Sequence, residues 1–338
     1  MFLRNFWYVA AWPSEIGATP LARTVCGEPV VLFRTGDGAA TALEDRCCHR
    51  NLPLSMGKVE GEALRCGYHG LLFDREGRCV EVPGQTAIPP GARVKRHPLV
   101  ERWKLLWLWY GAGAPDERLL PDWRYIDDPA WAAIAGNGAK PIPMACHWEL
   151  HNDNLLDLSH VVYVHPSTLG SAGMERTPVR TERLARSVRM TRWMPDVAPM
   201  PMWAKLLNLA GNMDRWQAAE IVLPSHCTID AGFAPAGASG PHEDRAKSAY
   251  LTILLTATPE TETTSLMFYA QIRNFRIDDA ALTQRFAENS RIIFEEDVRV
   301  LEAQQRAYSL KPAAPTVDIN VDAPALAMRR LVAEHRAA

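Results

Sequence analysis

The sequence predicts an α+β protein in which a small all-β domain precedes a larger α+β domain. Three observations support this prediction. Residues 1–110 contain short apolar runs separated by turn residues, a proline-rich stretch follows over 112–143, and the remainder combines long strand patterns with one long helical pattern. We therefore place an N-terminal domain at residues 1–115 and a C-terminal domain at residues 116–338.

The N-terminal elements are predicted from short apolar runs that end at glycine-containing turns. The apolar segment over residues 1–12 has no signal-peptide cleavage pattern and is expected to form the first strand. Further strands are expected over residues 29–34, 70–73, 79–82 and 105–110.

The C-terminal elements are longer. A short helix is expected over residues 152–162, and a long helix over 279–308 with Asp278 or Asp279 as its N-cap. Strands are expected over residues 187–193, 249–258 and 264–272. The segment 234–245 is rich in Ala, Gly and Pro and is expected to form a mobile surface loop.

The composition excludes several classes of protein. The chain is 47% hydrophobic and 22% charged with a formal net charge of −2, so neither nucleic acid nor an anionic membrane surface is an expected partner. No stretch approaches about eighteen uncharged apolar residues, so no membrane span is expected. The seven cysteines are irregularly spaced, which is typical of a reducing compartment and predicts a cytoplasmic protein.

Two short motifs of cysteine and histidine predict a metal cluster. Cys47 and His49 form a Cys-x-His pair, and Cys66 and His69 form a Cys-x-x-His pair after a gap of sixteen residues. A Rieske [2Fe–2S] centre takes two cysteine ligands on one iron and two histidine ligands on the other. Structural zinc is the alternative, but zinc sites usually open with two cysteines. The pattern therefore favours a Rieske cluster.

A second pair of histidines predicts a second metal site. His160 and His165 are five residues apart, so on one unbroken helix their side chains would diverge by ~140°. Pro166 disfavours the helical conformation at the residue before it, so we expect the helix to end before His165 and the two rings to converge. Two histidines and one carboxylate form the facial triad of O2-activating non-haem Fe(II).

The carboxylate ligand is expected on the long helix. Asp297 has four apolar neighbours one helical turn away, Ile293, Phe294, Val300 and Leu301. A carboxylate on such a face is costly unless it is paired or bound to metal, so Asp297 is the predicted ligand and a buried aspartate–arginine pair is the alternative. Glu295 and Glu296 each have an arginine one turn away and are expected to face solvent.

Asp157 is expected to orient one of the ligands. It precedes His160 by three residues and would share its helical face. A carboxylate there can accept the second N–H of the metal-bound imidazole. The alternative is an ordinary aspartate on the helix surface.

At these residues the chain resembles the oxygenase component of the Rieske non-haem iron aromatic oxygenases, and the resemblance runs nearly end to end. It is most similar to the short members of that family: vanillate O-demethylase, dicamba O-demethylase and toluenesulfonate methyl-monooxygenase. Besides the metal motifs, the matching segments are residues 4–10, 83–85, 259–262, 273–275 and 296–297.

The resemblance implies a fold, cofactors and partners. It implies a Rieske [2Fe–2S] domain followed by a helix-grip catalytic domain, an antiparallel sheet with a long C-terminal helix, and it places Asn154 near a mononuclear Fe(II). It also implies a head-to-tail homotrimer in which His69 of one subunit approaches Asp157 of the next. A separate flavin-dependent reductase, with or without a ferredoxin, would deliver electrons from NAD(P)H.

A substrate pocket is expected where the resemblance weakens. At positions where the relatives are expected to have polar residues, this chain has apolar ones: Ile229, Ile253 and Leu255. Met202 belongs to a Met-rich segment, 194–213, that is expected to form an apolar lid, with a loop that packs its own side chains as the alternative. Glu288 stands on the long helix where an aromatic residue is expected.

The sequence thus predicts a Rieske-type monooxygenase that uses O2 to hydroxylate a methyl or methoxy group of a small aromatic substrate. O-demethylation with release of formaldehyde is the favoured reaction. An aromatic ring-hydroxylating dioxygenase would use identical ligands and is the first alternative. A Rieske electron carrier without catalysis is the second, and the histidine–carboxylate motif argues against it.

Overall fold

The chain folds into three small antiparallel sheets followed by one large antiparallel sheet with helices. The structure is a computed structural model that describes residues 2–135, 140–170, 174–237 and 249–337. Within these residues, every strand of the three small sheets precedes the strands of the large sheet. The predicted α+β class, with an all-β region at the N-terminus, is therefore confirmed.

The N-terminal strands pair in the orders β1-β10-β9, β2-β3-β4 and β5-β6-β7-β8, where the labels follow chain order. Their bounds are β1 Phe6–Ala11, β2 Leu21–Val25, β3 Glu28–Arg34, β4 Ala40–Glu44, β5 Lys58–Glu60, β6 Ala63–Arg65, β7 Leu72–Asp74, β8 Cys79–Glu81, β9 Leu99–Arg102 and β10 Leu105–Tyr110. Every strand that the sequence predicts in this region is present; β1 begins five residues later than the apolar segment 1–12, and the ends of the others shift by at most two residues.

The large sheet has the order β11-β18-β17-β16-β15-β14-β13, and β12 also pairs with β18. Its strands are β11 Ala132–Ala135, β12 Ile142–Met144, β13 Arg180–Arg183, β14 Ser187–Val197, β15 Met213–Val222, β16 His226–Pro235, β17 Ala249–Pro259 and β18 Ser265–Arg273. The loop expected over 234–245 begins inside β16, and its residues 238–245 lie outside the described residues.

The helices of the C-terminal region are α1 Trp148–Leu156, α2 Val161–Val164, α3 Pro201–Leu207, α4 Ala280–Leu310 and α5 Ala323–Ala337. The predicted long helix is α4, and Asp279 is its N-cap because its carboxylate accepts a hydrogen bond from the Leu282 N–H at 2.8 Å. The sequence did not predict α5, which buries Met328 and Leu331 against α1 and β14. None of the described helices is long and apolar enough to cross a bilayer.

The proline-rich stretch between the two regions is part of the folded core. Its strands β11 and β12 both pair with β18, and Trp123 and Ile126 are each 2% exposed. The Trp123 indole N–H donates to the Thr228 hydroxyl on β16 at 3.1 Å. The stretch is therefore packed against the large sheet, and the division between residues 115 and 116 stays a prediction.

Strands β1 and β10 connect the two regions because both of their faces are buried. Their sequences, Phe-Trp-Tyr-Val-Ala-Ala and Leu-Leu-Trp-Leu-Trp-Tyr, are continuous apolar runs, as expected for a strand buried on both sides. On one face, Trp7 and Trp107 form a cluster with Leu254 and Phe268 of the large sheet. This hydrophobic cluster therefore contains side chains from both regions.

His226 on β16 makes a polar contact across the same interface. Its ring lies 3.1 Å through Nε2 from the Trp7 carbonyl oxygen and 3.0 Å through Nδ1 from the Thr256 hydroxyl. Burial lowers the pKa of His226 to about 3, so the ring is neutral at pH 7, donates from Nε2 and accepts at Nδ1. Nearby, the Thr258 hydroxyl donates to the Val9 carbonyl at 2.6 Å.

We expect His226→Leu to lower the free energy of unfolding at pH 7.5 by ~1–3 kcal/mol, because the Trp7 carbonyl and the Thr256 hydroxyl lose their partner. In the unfolded wild-type chain His226 takes up a proton below about pH 6.5, whereas in the folded protein it does so only below about pH 3. Stability from this group therefore falls as the pH drops through that window, and His226→Leu should lose stability less steeply.

Urea unfolding at pH 7.5, 6 and 5 measures both effects. Thr258→Val is the matched control, since it removes a cross-interface hydrogen bond without a titrating group. It should lower stability by a constant amount at all three pH values. An identical pH slope in wild type and His226→Leu would contradict the assignment.

Candidate metal centres

The four predicted cluster ligands lie on two loops that follow short strands. Cys47 lies just after β4, and its N–H donates to the Leu52 carbonyl at 2.9 Å. Cys66 follows β6 directly, and its N–H donates to the Leu71 carbonyl at 2.8 Å. Gly70 closes the second loop with a φ of +76°, a conformation that strains other residues.

The structure brings the two cysteines together and the two histidines together. Cys47 and Cys66 are buried and their thiols hydrogen-bond each other, whereas His49 and His69 are exposed with ring centroids 4.6 Å apart. Burial raises the pKa of the Cys47 thiol to about 11, so metal binding must displace its proton. Two adjacent thiols and two adjacent imidazoles on these loops are the donor types that a Rieske cluster needs.

The helix predicted over residues 152–162 is broken in the middle, so this prediction is wrong in its detail. Helix α1 ends at Leu156 and α2 begins at Val161. The cause is Asp157, whose carboxylate accepts hydrogen bonds from the N–H and the hydroxyl of Ser159. Such a local side-chain bond competes with the helical backbone pattern.

The break and Pro166 together bring the two histidines onto one side. His160 precedes α2, and His165 follows it with φ −118° and ψ 46°, so the helix ends before His165 as predicted. The two ring centroids are 5.5 Å apart and the rings are inclined at 70°.

Asp297 on α4 completes this group. Its Oδ1 lies 3.4 Å from His160 Nε2 and 3.0 Å from His165 Nε2, and one donor atom from each residue lies within 4.8 Å of the others. Donors about 2.1 Å from one ion and at right angles to each other stand ~3 Å apart. The three residues therefore fit a facial set around one ion, with other positions left open.

In both imidazole rings, Nδ1 contacts another group of the protein and Nε2 faces Asp297. His160 Nδ1 contacts the Asp157 backbone carbonyl, and His165 Nδ1 lies 2.7 Å from Glu296 Oε2. Because both Nδ1 atoms are held as donors, Nε2 of each ring is the atom that faces the centre, where it donates to Asp297 or, after losing that proton, could bind a metal. This arrangement fixes the tautomer that a metal ligand needs.

The electrostatics of the group also suit a metal. Burial alone would raise the pKa of Asp297, but hydrogen bonds with His160 and His165 hold it well below its usual range. Burial works to lower the pKa of His165, and its bonds to Asp297 and Glu296 outweigh that effect and raise it. Asp297 is therefore an ionised ligand in a largely buried site.

Two sequence predictions about carboxylates are wrong. Glu296 does not face solvent: its side chain is 22% exposed and holds His165, whereas Glu295 is exposed and paired with Arg291 as predicted. The Asp157 carboxylate does not contact the His160 ring, because the helix break turns it toward Ser159. The adjacent backbone carbonyl takes the expected role, which residue spacing alone does not reveal.

Asn154 lies next to the group, where the resemblance places it. Its Nδ2 donates to Asp297 Oδ1 at 3.2 Å. His147, the N-cap of α1, and His151, inside α1, are not part of the cluster of donor atoms in the described chain.

A cavity of about 710 Å³, including its open mouth, ends at His160, His165 and Asp297. Of the predicted pocket residues, Met202, Ile229 and Ile253 line it. Met200 and Trp203, which belong to the predicted lid segment 194–213, also line it. The main apolar residues that the sequence reasoning missed are Leu155, Leu158, Leu251 and Phe294. Three polar residues were also missed, Gln217, Gln271 and Ser290.

Two predicted pocket residues lie elsewhere. Leu255 is on the same face of β17 as Ile253, but it is one pair further along the strand and is packed in the core. Glu288 is exposed on α4 and accepts a hydrogen bond from Gln284 at 2.9 Å. The face of α4 that meets the cavity instead presents Ser290, Ile293 and Phe294.

Two models of known protein families match this chain. The Rieske [2Fe-2S] domain matches residues 6–98, and the vanillate O-demethylase oxygenase C-terminal domain matches residues 144–338. The second match covers the whole group formed by His160, His165 and Asp297.

Individual relatives match over nearly their full length. The putative toluene-4-sulfonate monooxygenase system iron-sulfur subunit TsaM2 of Comamonas testosteroni is 42% identical over 96% of this chain and 94% of its own length. The vanillate O-demethylase oxygenase subunit of Pseudomonas sp. (strain HR199 / DSM 7063) is 36% identical over 98% of this chain and 94% of its own.

A solved structure has the same fold throughout. The crystal structure of dicamba monooxygenase with non-heme iron and dicamba superimposes with a TM-score of 0.82 at 30% identity, covering 99% of this chain and 98% of that one. The resemblance predicted from the motifs is confirmed: the chain belongs to the Rieske oxygenase family that is defined by the vanillate O-demethylase oxygenase C-terminal domain.

Proposed function

We propose that this chain is the oxygenase component of an O2- and NAD(P)H-dependent monooxygenase system that hydroxylates a methyl or methoxy group of an aromatic substrate. The observation that supports this most directly is the apolar cavity that ends at His160, His165 and Asp297. A mostly apolar lining with a few polar groups is typical of a site for a small, mostly apolar molecule. Its polar end is the place where the reactive group of the substrate would lie.

The proposal assigns each cofactor to specific side chains. Cys47, His49, Cys66 and His69 would hold the [2Fe–2S] cluster. His160, His165 and Asp297 would hold a mononuclear Fe(II), as the non-heme iron named for the dicamba monooxygenase structure supports. Iron bound there would supply the activation of O2.

Around that iron, the chain itself orients ligands and excludes water. Glu296 and the Asp157 carbonyl fix the two imidazoles, and Asn154 holds the Asp297 carboxylate. The apolar walls, including Trp203 and Phe294, keep the reacting group of the substrate in a dry environment.

The favoured reaction is O-demethylation. One C–H bond of the methoxy group becomes C–OH, and one atom of O2 enters that group while the other leaves as water. Two electrons from NAD(P)H and two protons balance the step. The resulting hemiacetal then breaks into a phenol and formaldehyde.

The proposal includes an electron donor and a trimer. A flavin-dependent reductase, with or without a ferredoxin, would reduce the cluster. The exposed imidazole side of the cluster, where His49 and His69 lie beside the exposed Arg50, would face the neighbouring subunit. A second surface cavity reaches His160 from outside and is lined by four aspartates and one arginine: Asp153, Asp157, Asp318, Asp322 and Arg329. Opposite charges on these two surfaces favour a head-to-tail homotrimer.

The compartment is proposed on the state of the cysteines. All seven are free thiols, five of them outside the proposed cluster set, which agrees with a reducing cytoplasm.

Formaldehyde release tests the proposed reaction. With a suitable reductase and NAD(P)H, turnover of an aryl methyl ether should release one formaldehyde per NAD(P)H consumed, and label from 18O2 should appear in water and in formaldehyde before its exchange. A cis-dihydrodiol without formaldehyde would assign the chain to the dioxygenases. Electron transfer through the cluster with no product from any substrate would assign it to the electron carriers.

Substitutions of three consecutive acidic residues on α4, Glu295, Glu296 and Asp297, test the assignment of the mononuclear iron site. Asp297→Ala should abolish mononuclear iron binding and turnover while leaving the visible spectrum of the cluster unchanged. Glu296→Ala should weaken mononuclear iron binding ~10–100-fold, because His165 loses the carboxylate that orients it. Glu295→Ala, which removes only an exposed ion pair with Arg291, is the matched control and should retain full iron content.

Iron content is measured after dialysis against graded chelator, with the cluster spectrum as internal reference. Full iron retention in Asp297→Ala would refute the ligand set. Equal iron affinity in Glu296→Ala and Glu295→Ala would refute the orienting role of Glu296.

Subunit mixing tests the trimer. His69→Ala chains should lack a functional cluster, and His165→Ala chains should lack mononuclear iron, so each variant alone is inactive. Mixed trimers should recover partial activity, because one intact cluster can then face one intact iron in the neighbouring subunit. If native mass spectrometry shows hybrid trimers and the mixture stays inactive, electron transfer does not cross the subunit boundary.

A further inference from the structure

Two glutamines leave unpaired carbonyl oxygens at the cavity walls. Gln217 on β15 and Gln271 on β18 are 6% and 4% exposed, and Oε1 of each has no hydrogen-bond partner in the structure. Both residues line the cavity that ends at the metal site. A buried carbonyl oxygen without a partner is costly, so these atoms are candidates for contact with a ligand.

The orientation of the Gln271 amide is fixed by its neighbours. The Ser290 hydroxyl donates its single proton to the Phe286 carbonyl at 2.7 Å. It can therefore only accept from Gln271, whose Nε2 is the donor in that contact. The amide cannot be flipped without losing this bond, so Oε1 is the atom left as an acceptor.

The distance from Gln271 to the metal site can be gauged along α4, from Ser290, which Gln271 contacts, to Asp297. Ser290 and Asp297 are seven residues apart on α4, so they lie on nearly the same face with ~10 Å between them along the axis. Gln271 is hydrogen-bonded to Ser290 and lies directly opposite Ile253 in the sheet. An aromatic ring with one substituent at the metal and another at the para position spans a comparable length.

The charges around the cavity disfavour an anionic substrate. Among the described residues that line it, none is a lysine or an arginine. Three buried arginines lie close by in the sheet: Arg192, opposite Gln217, Arg215, two residues before Gln217 on β15, and Arg273, opposite Leu251. Arg192 donates to the Leu158 carbonyl and Arg273 to the Asp279 carbonyl and the Thr283 hydroxyl. A buried carboxylate or sulfonate would have no cationic side chain in the cavity to offset its lost hydration.

We propose that the cavity selects an uncharged aromatic substrate with a hydrogen-bond donor on the ring position opposite to the group that is hydroxylated, and that Gln271 Oε1 accepts this hydrogen bond. The inference rests on the proposed function, which places the methyl or methoxy group at His160, His165 and Asp297. Gln271 is a specificity-determining residue in this account, since it contacts the far end of the substrate.

Three para-substituted probes of similar shape test the inference: 4-methoxyphenol, 4-methylanisole and 4-methoxybenzoate. The first is a neutral donor, the second lacks a donor, and the third is an anion. Calorimetric titration of the anaerobic holoprotein should give a Kd for 4-methoxyphenol about tenfold below that for 4-methylanisole. The Kd for 4-methoxybenzoate should be the weakest of the three.

Substitution then assigns the effect to one residue. Gln271→Leu should bring the two neutral probes to within about twofold of each other, since an apolar side chain of similar size serves both equally. Ser290→Ala, a smaller change, should reduce the preference because it releases the Gln271 amide. Gln284→Leu, on the exposed face of α4, is the matched control and should leave all three Kd values unchanged.

The outcomes separate this inference from the proposed function. Equal binding of the two neutral probes by the wild type, or tightest binding of 4-methoxybenzoate, would overturn the inference. Loss of the preference in Gln217→Leu but not in Gln271→Leu would overturn the assignment to Gln271. Formaldehyde release is read independently: its absence with every methoxy probe, despite measured binding, would count against the proposed demethylation.

Discussion

The structure depends on one buried charge. Asp297 lies on a helix face that packs toward the core, and its carboxylate is ionised there. Such a group is stable only if cationic or hydrogen-bonding partners surround it. His160, His165 and Asn154 supply those partners, and each of them comes from the broken helical segment that follows β12. Because these groups must balance the buried charge of Asp297, they fix the orientation in which α4 packs against α1 and α2.

The same requirement explains the arrangement around the rings. Each imidazole has one nitrogen turned to Asp297 and the other held from behind, by Glu296 for His165 and by a backbone carbonyl for His160. Because these outer contacts come from α4 and from the helix break, the geometry of the site is set by rigid elements. The cavity between α4 and the sheet then determines what can approach the open side.

The N-terminal region is tied to this scaffold by burial on both faces of β1 and β10. Trp7 and Trp107 pack on the large sheet, and His226 and Thr258 donate hydrogen bonds to carbonyls of β1. Packing of this kind gives the cluster-bearing loops a fixed position relative to the large sheet of the same chain. Electron transfer to another subunit would then depend on docking between whole subunits.

The sequence by itself determined five of the ten strands of the N-terminal region, the long helix, and the residues that the structure groups as His160, His165 and Asp297. It could do so because turn residues, apolar periodicity and ligand spacing are local signals. Only the tertiary structure decided which groups contact Nδ1 of the two imidazoles and which residues line the cavity. The sequence predicts that Glu296 faces solvent and that Glu288 lines the pocket, and the structure contradicts both. No local sequence pattern identifies Gln271 as a pocket residue. Their roles follow from the rotation of α4 against the sheet, which is fixed by long-range packing.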